Sequence, residues 1–128
     1  MKLLLDTCTF LWAIAGGAEL SKAARDALTN PDNDVYLSAV SAWEIAVKHA
    51  LGRLPLPEPP DRYVPAQRRA RGVAALPLDE DAALQLVRLP HLHRDPFDRM
   101  LVCQALAGAL TLVTPDPEIA RYPVRILW

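Results

Sequence analysis

The sequence of 128 residues has little of what identifies several common classes of protein. Its two cysteines, Cys8 and Cys103, form no Cys-X-X-Cys pair, which argues against a disulfide framework and a thiolate zinc site. No apolar run reaches the ~18 residues of a membrane span. Asp6 interrupts the one N-terminal run that could begin a signal peptide. We therefore expect a cytoplasmic protein with no membrane segment.

An excess of charge of either sign is also missing, because the formal net charge is −1. A polyanionic partner would have to be bound by a local basic patch rather than by the overall field. Apolar residues make up 52% of the chain, which is too many for a disordered protein. The length predicts one domain, covering residues 1–128.

Short apolar segments alternate with helical patterns along the chain. Strands are predicted at 2–6, 34–38, 73–78, 110–114 and 124–128, and helices at 7–15, 21–28, 62–71, 79–87 and 95–108, with a further helix from Ser38 or Ser41 to about Leu51. Residues 54–60 are too rich in proline for either element. No Asn-Gly or Asp-Gly hairpin turn is present. The alternation predicts an α/β fold with a mostly parallel sheet covered on both faces.

Two aspartates directly follow predicted strands. Asp6 comes after the first apolar run, and Asp116 follows the strand at 110–114 in a similar context. Ligands of open parallel sheets bind at the carboxyl ends of the strands. Asp6 could equally serve as a helix N-cap, whereas the local sequence around Asp116 favours a helix N-cap or a Pro-Asp turn. For both residues the functional interpretation stays open.

Glu44 falls within the predicted apolar face of its helix. That face comprises Val40, Trp43, Val47, Ala50 and Leu51. A charge on a buried face is costly unless it is paired or binds a cation. The alternative to a functional role is an ion pair with Lys48, four residues later.

Asp98 continues the apolar face of the helix that begins in HRDPFDR. That face comprises Leu101, Val102, Ala105 and Ala109. Asp95 precedes Pro96 and therefore fits the N-cap. Asp98 is left without a capping role, unless it acts as the acid of a capping box, where Glu or Gln is usual.

We expect the four carboxylates, Asp6, Glu44, Asp98 and Asp116, to lie together at one edge of the sheet, because three of them stand at strand C-termini or helix N-termini. Neighbouring carboxylates repel one another unless a cation neutralises them, and hard divalent cations prefer such oxygen ligands. His91 and His93 lie in the loop before the last long helix and fit a surface or supporting role better than a ligand role.

Four segments, LLLDT, SAWEIAVKHALGRL, HRDPFDRMLVCQA and LVTPD, resemble those of the PIN-domain ribonucleases, in particular the VapC-type toxins. The resemblance implies a three-layer α/β/α fold and a metal-dependent endoribonuclease. It also implies an Mg²⁺ or Mn²⁺ site formed by Asp6, Glu44, Asp98 and Asp116. Glu44 or Asp116 could in addition accept a proton from the attacking water.

The same resemblance implies supporting residues and partners. Thr7 and Thr114 would orient ligands or water, while Arg94 and Arg99 would support the site or contact phosphate. An antitoxin protein and a homodimer are expected. Apolar surface around Trp12, Trp43 and residues 54–60 could bind the antitoxin. The basic cluster Arg68, Arg69 and Arg71 is either an RNA contact or a solvated helix face.

Two other functions are compatible with these residues. Asp6 could be the nucleophile of a phosphotransferase, but Cys8 stands where that chemistry usually has a second aspartate. The acids could instead dock a basic partner peptide without catalysis. Such an interaction module would show no metal-stimulated cleavage.

Overall fold

The computed structural model describes residues 1–128 as five strands and six helices. The strands are β1 (Lys2–Leu5), β2 (Asp34–Ser38), β3 (Ala74–Leu76), β4 (Thr111–Val113) and β5 (Ile126–Leu127). The helices are α1 (Thr7–Ile14), α2 (Lys22–Thr29), α3 (Ala39–Ala50), α4 (Pro60–Ala70), α5 (Glu80–Leu84) and α6 (Pro96–Gly108). Short 3₁₀ turns cover Gln85–Arg88 and Ile119–Arg121. No helix combines the length and the hydropathy that crossing a lipid bilayer requires.

All five strands are parallel and lie in the order β3-β2-β1-β4-β5. Leu4 of the central strand pairs with Tyr36 on one side and with Leu112 on the other. From β1 the chain first adds β2 and β3 on one side of the sheet and then adds β4 and β5 on the other side. The direction in which strands are added therefore changes between β1 and β4. A ligand site is expected at the carboxyl ends of these two strands.

Alternate residues of β1 point into two apolar layers. Leu3 and Leu5 pack with Phe10 on one face of the sheet, whereas Leu4 packs with Leu101 on the other. Each of these side chains is almost fully buried, which contributes roughly 1.5–3 kcal/mol per residue. The predicted three-layer α/β/α architecture is confirmed.

Side-chain caps determine where several helices begin. Asp6, Ser21, Ser38, Asp79 and Asp95 each accept a hydrogen bond from a backbone N–H in the first turn of the following helix. Of the two serines considered for α3, Ser38 is the cap, because its Oγ accepts from the N–H of Val40. Two of these caps, Asp6 and Asp95, lie at the candidate site.

The predicted apolar face of α3 is wrong in its orientation. Trp43 is 58% exposed and Leu51 is 61% exposed, whereas Ser41 and Ile45 are buried. The buried face lies about one residue further along the helix, because α3 contacts α1 and α6 as well as the sheet. Glu44 nevertheless lies on that buried face, with an exposure of 5%.

Two helices differ from their predicted bounds by two residues or more. Helix α4 begins at Pro60, two residues before the predicted start, and continues through Pro65. Proline suits the first helical position, where the missing N–H would have no partner. Helix α5 ends at Leu84 and continues as a 3₁₀ turn to Arg88.

Candidate active site

Asp6 stands at the junction between β1 and α1. Its Oδ1 accepts a hydrogen bond of 2.7 Å from the N–H of Thr9, so it is the N-cap of α1. Its Oδ2 accepts a 2.5 Å bond from the hydroxyl of Thr114, beyond the end of β4. Burial raises the pKa of the Asp6 carboxyl, although both hydrogen bonds act in the opposite direction. Asp6 is therefore a cap and also connects the ends of β1 and β4.

Glu44 is held by hydroxyl and ammonium donors. The hydroxyl of Thr7 donates to Oε1 of Glu44 at 2.7 Å and contacts the Ser41 hydroxyl at 3.0 Å. Lys48 Nζ forms an ion pair with Oε2 of Glu44, and this bond is the main cause of the raised pKa of Lys48. The ion pair that the sequence suggested as an alternative is thus present, and Lys48 brings a positive charge to the site.

Asp98 lies in the first turn of α6 and does not cap the helix. Asp95 is the cap, since its Oδ1 accepts from the N–H groups of Phe97 and Asp98. The Asp98 side chain is 19% exposed, and its Oδ2 lies 3.4 Å from Nε2 of His93. No hydrogen bond joins Asp98 to the backbone of Asp95 as a capping box would require. The carboxylate therefore faces the site.

Asp116 is half-buried beyond the end of β4. Its Oδ1 accepts from the N–H of Glu118 at 2.9 Å, and its own N–H donates to the Thr114 hydroxyl at 3.1 Å. The turn role considered for Asp116 is therefore present. It leaves Oδ2 without a partner in the chain.

The carboxylates act electrostatically on one another. The pKa of Asp98 is raised to about 6, first by burial and then by the charges of Asp95, Asp116 and Glu44. Burial and the charges of Asp6, Glu44 and Asp98 all raise the pKa of the Cys8 thiol. The acidic side chains therefore lie around a common region beside Cys8.

The donor set of this region suits a hard divalent cation in charge and in chemistry. It offers carboxylate oxygens from several chain segments. Only two basic side chains contact the four acids: Lys48 is paired with Glu44, and His93 makes a weaker contact with Asp98. No three His, Cys, Asp or Glu side chains, however, lie close enough together to enclose one ion. The residues fit a metal, but the carboxylates are not drawn together around a single point.

The two predicted phosphate-contacting arginines differ in their surroundings. Arg94 is exposed. Arg99 is only 7% exposed, and its Nη1 lies 2.8 Å from Nδ1 of His91 and donates to the carbonyl of His93. Arg99 therefore supports the loop before α6, and a direct phosphate contact would require it to leave these partners.

The basic cluster on α4 is partly engaged within the chain. Arg68 donates to the carbonyl of Val73, and Arg71 donates to Gln67 and to the carbonyl of Ile14. Arg69 is exposed and makes no side-chain hydrogen bond. Two of the three arginines are therefore already bound within the chain, and a contact of this cluster with RNA stays a prediction.

Sequence reasoning missed two contacts of the site. Ser41 touches Thr7, and its spacing of three residues from Glu44 on one helix could have indicated this. His93 connects Asp98 to Tyr122, whose hydroxyl lies 2.8 Å from Nδ1 of the imidazole. No local pattern links residues 93 and 122, so this contact required the tertiary structure.

The sequence matches the PIN domain family over residues 3–124. The chain belongs to the PIN domain family. Ribonuclease VapC16 of Mycobacterium tuberculosis is 42% identical over 95 residues, which are 74% of this chain and 63% of that protein. The match thus spans less than two thirds of the relative's length.

Solved structures of low sequence identity share this PIN fold. VapBC2 from Rickettsia felis, bound to a promoter DNA fragment, superposes with a TM-score of 0.73 at 16% identity, covering 98% of this chain and 97% of that one. DNA-bound VapBC from Salmonella typhimurium gives 0.67 at 22% identity, covering 98% and 96%. These likenesses support the architecture from end to end.

Proposed function

We propose that this PIN domain is a metal-dependent endoribonuclease and the toxin of a toxin–antitoxin pair. The observation that carries the proposal is the group of four carboxylates from separate chain segments, Asp6, Glu44, Asp98 and Asp116. They lie around the carboxyl ends of β1 and β4 and affect one another's ionisation. Identity of 42% to a protein named a ribonuclease supports the reaction class.

The carboxylates divide into two oriented and two open groups. Hydroxyls of Thr7 and Thr114 orient Glu44 and Asp6. Oδ1 of Asp98 and Oδ2 of Asp116 accept no hydrogen bond from the chain. Every fully buried polar side-chain atom does have a hydrogen-bond partner, so these two oxygens are not among the fully buried atoms. The two open oxygens are therefore reachable from solvent. We assign Oδ1 of Asp98 to first contact with an incoming cation.

The proposed reaction is hydrolysis of an RNA phosphodiester. A bound Mg²⁺ or Mn²⁺ supplies Lewis acidity, lowering the pKa of a water and neutralising phosphate charge. Water adds to phosphorus, one bridging P–O bond breaks, and the leaving oxygen takes up a proton. Asp116 is our candidate to accept the proton of the attacking water, because its Oδ2 has no other partner.

The test compares RNA cleavage by Asp6→Asn, Glu44→Gln and Asp98→Asn with that of the wild type. We expect each substitution to lower cleavage at least a hundredfold with Mg²⁺ or Mn²⁺, and chelation to abolish wild-type cleavage. The matched control is Asp95→Asn, three residues from Asp98, because asparagine caps a helix nearly as well as aspartate. Wild-type rates in Asp98→Asn, with the metal present, would contradict the proposal.

An antitoxin partner and a homodimer belong to the same proposal. Several structural relatives carry the VapBC name, and one from Klebsiella pneumoniae is described as a toxin–antitoxin complex. The suggested partner surface divides in two, because residues 54–57 line a cleft with Leu11 and Tyr63 whereas Trp43 lines another. Light scattering of the chain, alone and with the protein of the neighbouring gene, measures both associations.

One observation favours a second candidate, a non-catalytic site for basic peptides. Lys48 already places an ammonium group on Glu44, so a cationic side chain is compatible with these acids. A module of this kind would bind a Lys- or Arg-rich peptide but cleave no RNA with any divalent ion. The cleavage assay above distinguishes the two.

A further inference from the structure

Trp43 forms the aromatic wall of a cleft beside the candidate active site. The cleft has a volume of about 450 Å³, within the roughly 300–1,000 Å³ of small-molecule sites. We call it the Trp43 cleft. It is lined among others by Trp43, Leu78, Leu86, His91, Arg94 and Met100. More than half of the Trp43 surface is open to solvent, although its helix neighbours Glu44 and Ile45 are buried.

The Trp43 ring is held in place by a second aromatic side chain. Trp43 and Phe97 pack edge to face, with ring centroids 4.8 Å apart. These residues directly precede Glu44 and Asp98 in the sequence. The aromatic pair therefore joins α3 to α6 at the point where both helices contribute a carboxylate, and the Trp43 cleft adjoins the acidic region.

The charge of the Trp43 cleft is opposite to that of the acidic region. No Asp or Glu lines it, whereas Arg94, Arg99 and His91 do. Arg99 and His91 contact each other, but the side chain of Arg94 is exposed and makes no hydrogen bond with the chain. A ligand with a flat apolar part and an adjoining anion would satisfy both Trp43 and Arg94.

We propose that the Trp43 cleft is a subsite for an unpaired base of single-stranded RNA. The base stacks on the Trp43 indole, and Arg94 contacts an adjacent phosphate. Stacking on aromatic side chains and ionic contact with the backbone are the usual means of binding unpaired RNA. The inference rests on the proposed ribonuclease function. It adds that the base beside the cleaved bond leaves its neighbouring bases and stacks on Trp43 instead.

The experiment measures binding of oligoadenylate, and of an abasic ribose-phosphate oligomer of the same length, in the presence of a chelator. The wild type should prefer oligoadenylate, with quenching of indole fluorescence. Trp43→Leu should lower oligoadenylate affinity about tenfold to a hundredfold and leave the abasic oligomer unaffected. Trp43→Phe, which keeps a stacking face, should retain most of the affinity.

Arg94 and two matched controls complete the design. Arg94→Gln should weaken both oligomers and reduce the salt slope of binding by about one. Leu51→Ala removes a similarly exposed apolar side chain from the other end of α3, and Arg53→Gln neutralises an exposed arginine outside the cleft. Both controls should bind like the wild type.

Cleavage of the same oligoadenylate with Mg²⁺ or Mn²⁺ separates failure of this inference from failure of the proposed function. No cleavage by the wild type would contradict the ribonuclease itself. Cleavage by the wild type together with unchanged base preference in Trp43→Leu would overturn the subsite alone. The subsite would also be overturned if Trp43→Leu changed the mass of the assembly in solution but left RNA affinity unaltered, because the cleft would then be a protein interface.

Discussion

Asp98 lies in surroundings that disfavour its ionised form. Burial first, and then the charges of Asp95, Asp116 and Glu44, raise its pKa to about 6. Between its ordinary value of 3.8 and about 6, the folded chain binds more protons than the unfolded chain. The stability contribution of this group is therefore greatest at low pH and falls as the pH rises through that window.

Asp98→Asn should consequently stabilise the metal-free protein above pH 6, because the amide has no charge to desolvate. We expect a gain of roughly 1–2 kcal/mol in the free energy of unfolding, after allowance for solvent screening. The gain should disappear below about pH 4. Urea denaturation at several pH values measures it, with the exposed turn residue Asp32→Asn as control. A pH-independent difference would contradict the assignment.

Lys48 should have the opposite effect on the stability of the metal-free protein. Lys48→Met leaves Oε2 of the buried Glu44 without its ion pair. The expected loss is about 1–3 kcal/mol in the free energy of unfolding. Adding Glu44→Gln should recover part of it, since the neutral amide has less need of a counter-charge. If the loss of stability in the double variant equals the sum of the losses in the two single variants, Lys48 and Glu44 are not coupled.

At the scale of elements, the N-terminus of α6 combines a cap with a functional side chain. Asp95 begins the helix, which leads Asp98 towards the site one turn later. The hydrophobic face that follows, with Leu101 and Val102 buried, holds the helix against the sheet. The position of Asp98 therefore depends on the cap as well as on the core.

Asp95→Ala should lower the free energy of unfolding by about 1 kcal/mol and also reduce RNA cleavage, because the first turn of α6 loses its cap. Asp95→Asn should retain both properties. Thermal unfolding and cleavage rates of the two variants test this. Full cleavage in the uncapped Asp95→Ala protein would show that the position of Asp98 is independent of the cap.

At the scale of the whole molecule, the parallel sheet gathers acidic groups from distant parts of the chain. Asp6 and Asp116 follow strands that are adjacent in the sheet, and repulsion among such groups opposes folding. A divalent cation that binds only the folded chain stabilises it by mass action.

Mg²⁺ or Mn²⁺ should therefore raise the free energy of unfolding by about 2.7 kcal/mol at about one hundred times the dissociation constant. A chelator should reverse the effect. Thermal unfolding measures it, and Asp6→Asn combined with Asp98→Asn should abolish it. If the ion raised the unfolding temperature of the double variant as much as that of the wild type, the ion would be bound elsewhere.

The order of elements and the acidic residues were predictable because they depend on local rules. Apolar runs interrupted by Asp6 or followed by Asp116 indicate strand ends, and Asp95-Pro96 indicates a helix start. Periodicity within α6 was sufficient to place Asp98 beside a buried face. The bounds of α5 were less predictable, since an α-helix and a 3₁₀ turn differ little in local pattern.

The sequence by itself determined the alternation of strands and helices, the caps Ser21, Asp79 and Asp95, and the four candidate acids, since each follows from neighbours within a few residues. Only the tertiary structure decided which side of α3 is buried, that Trp43 is exposed beside Phe97, and that His93 joins Asp98 to Tyr122. These features depend on contacts between residues far apart in the chain. A helix can rotate by one residue at little local cost, so its packing partners choose the face.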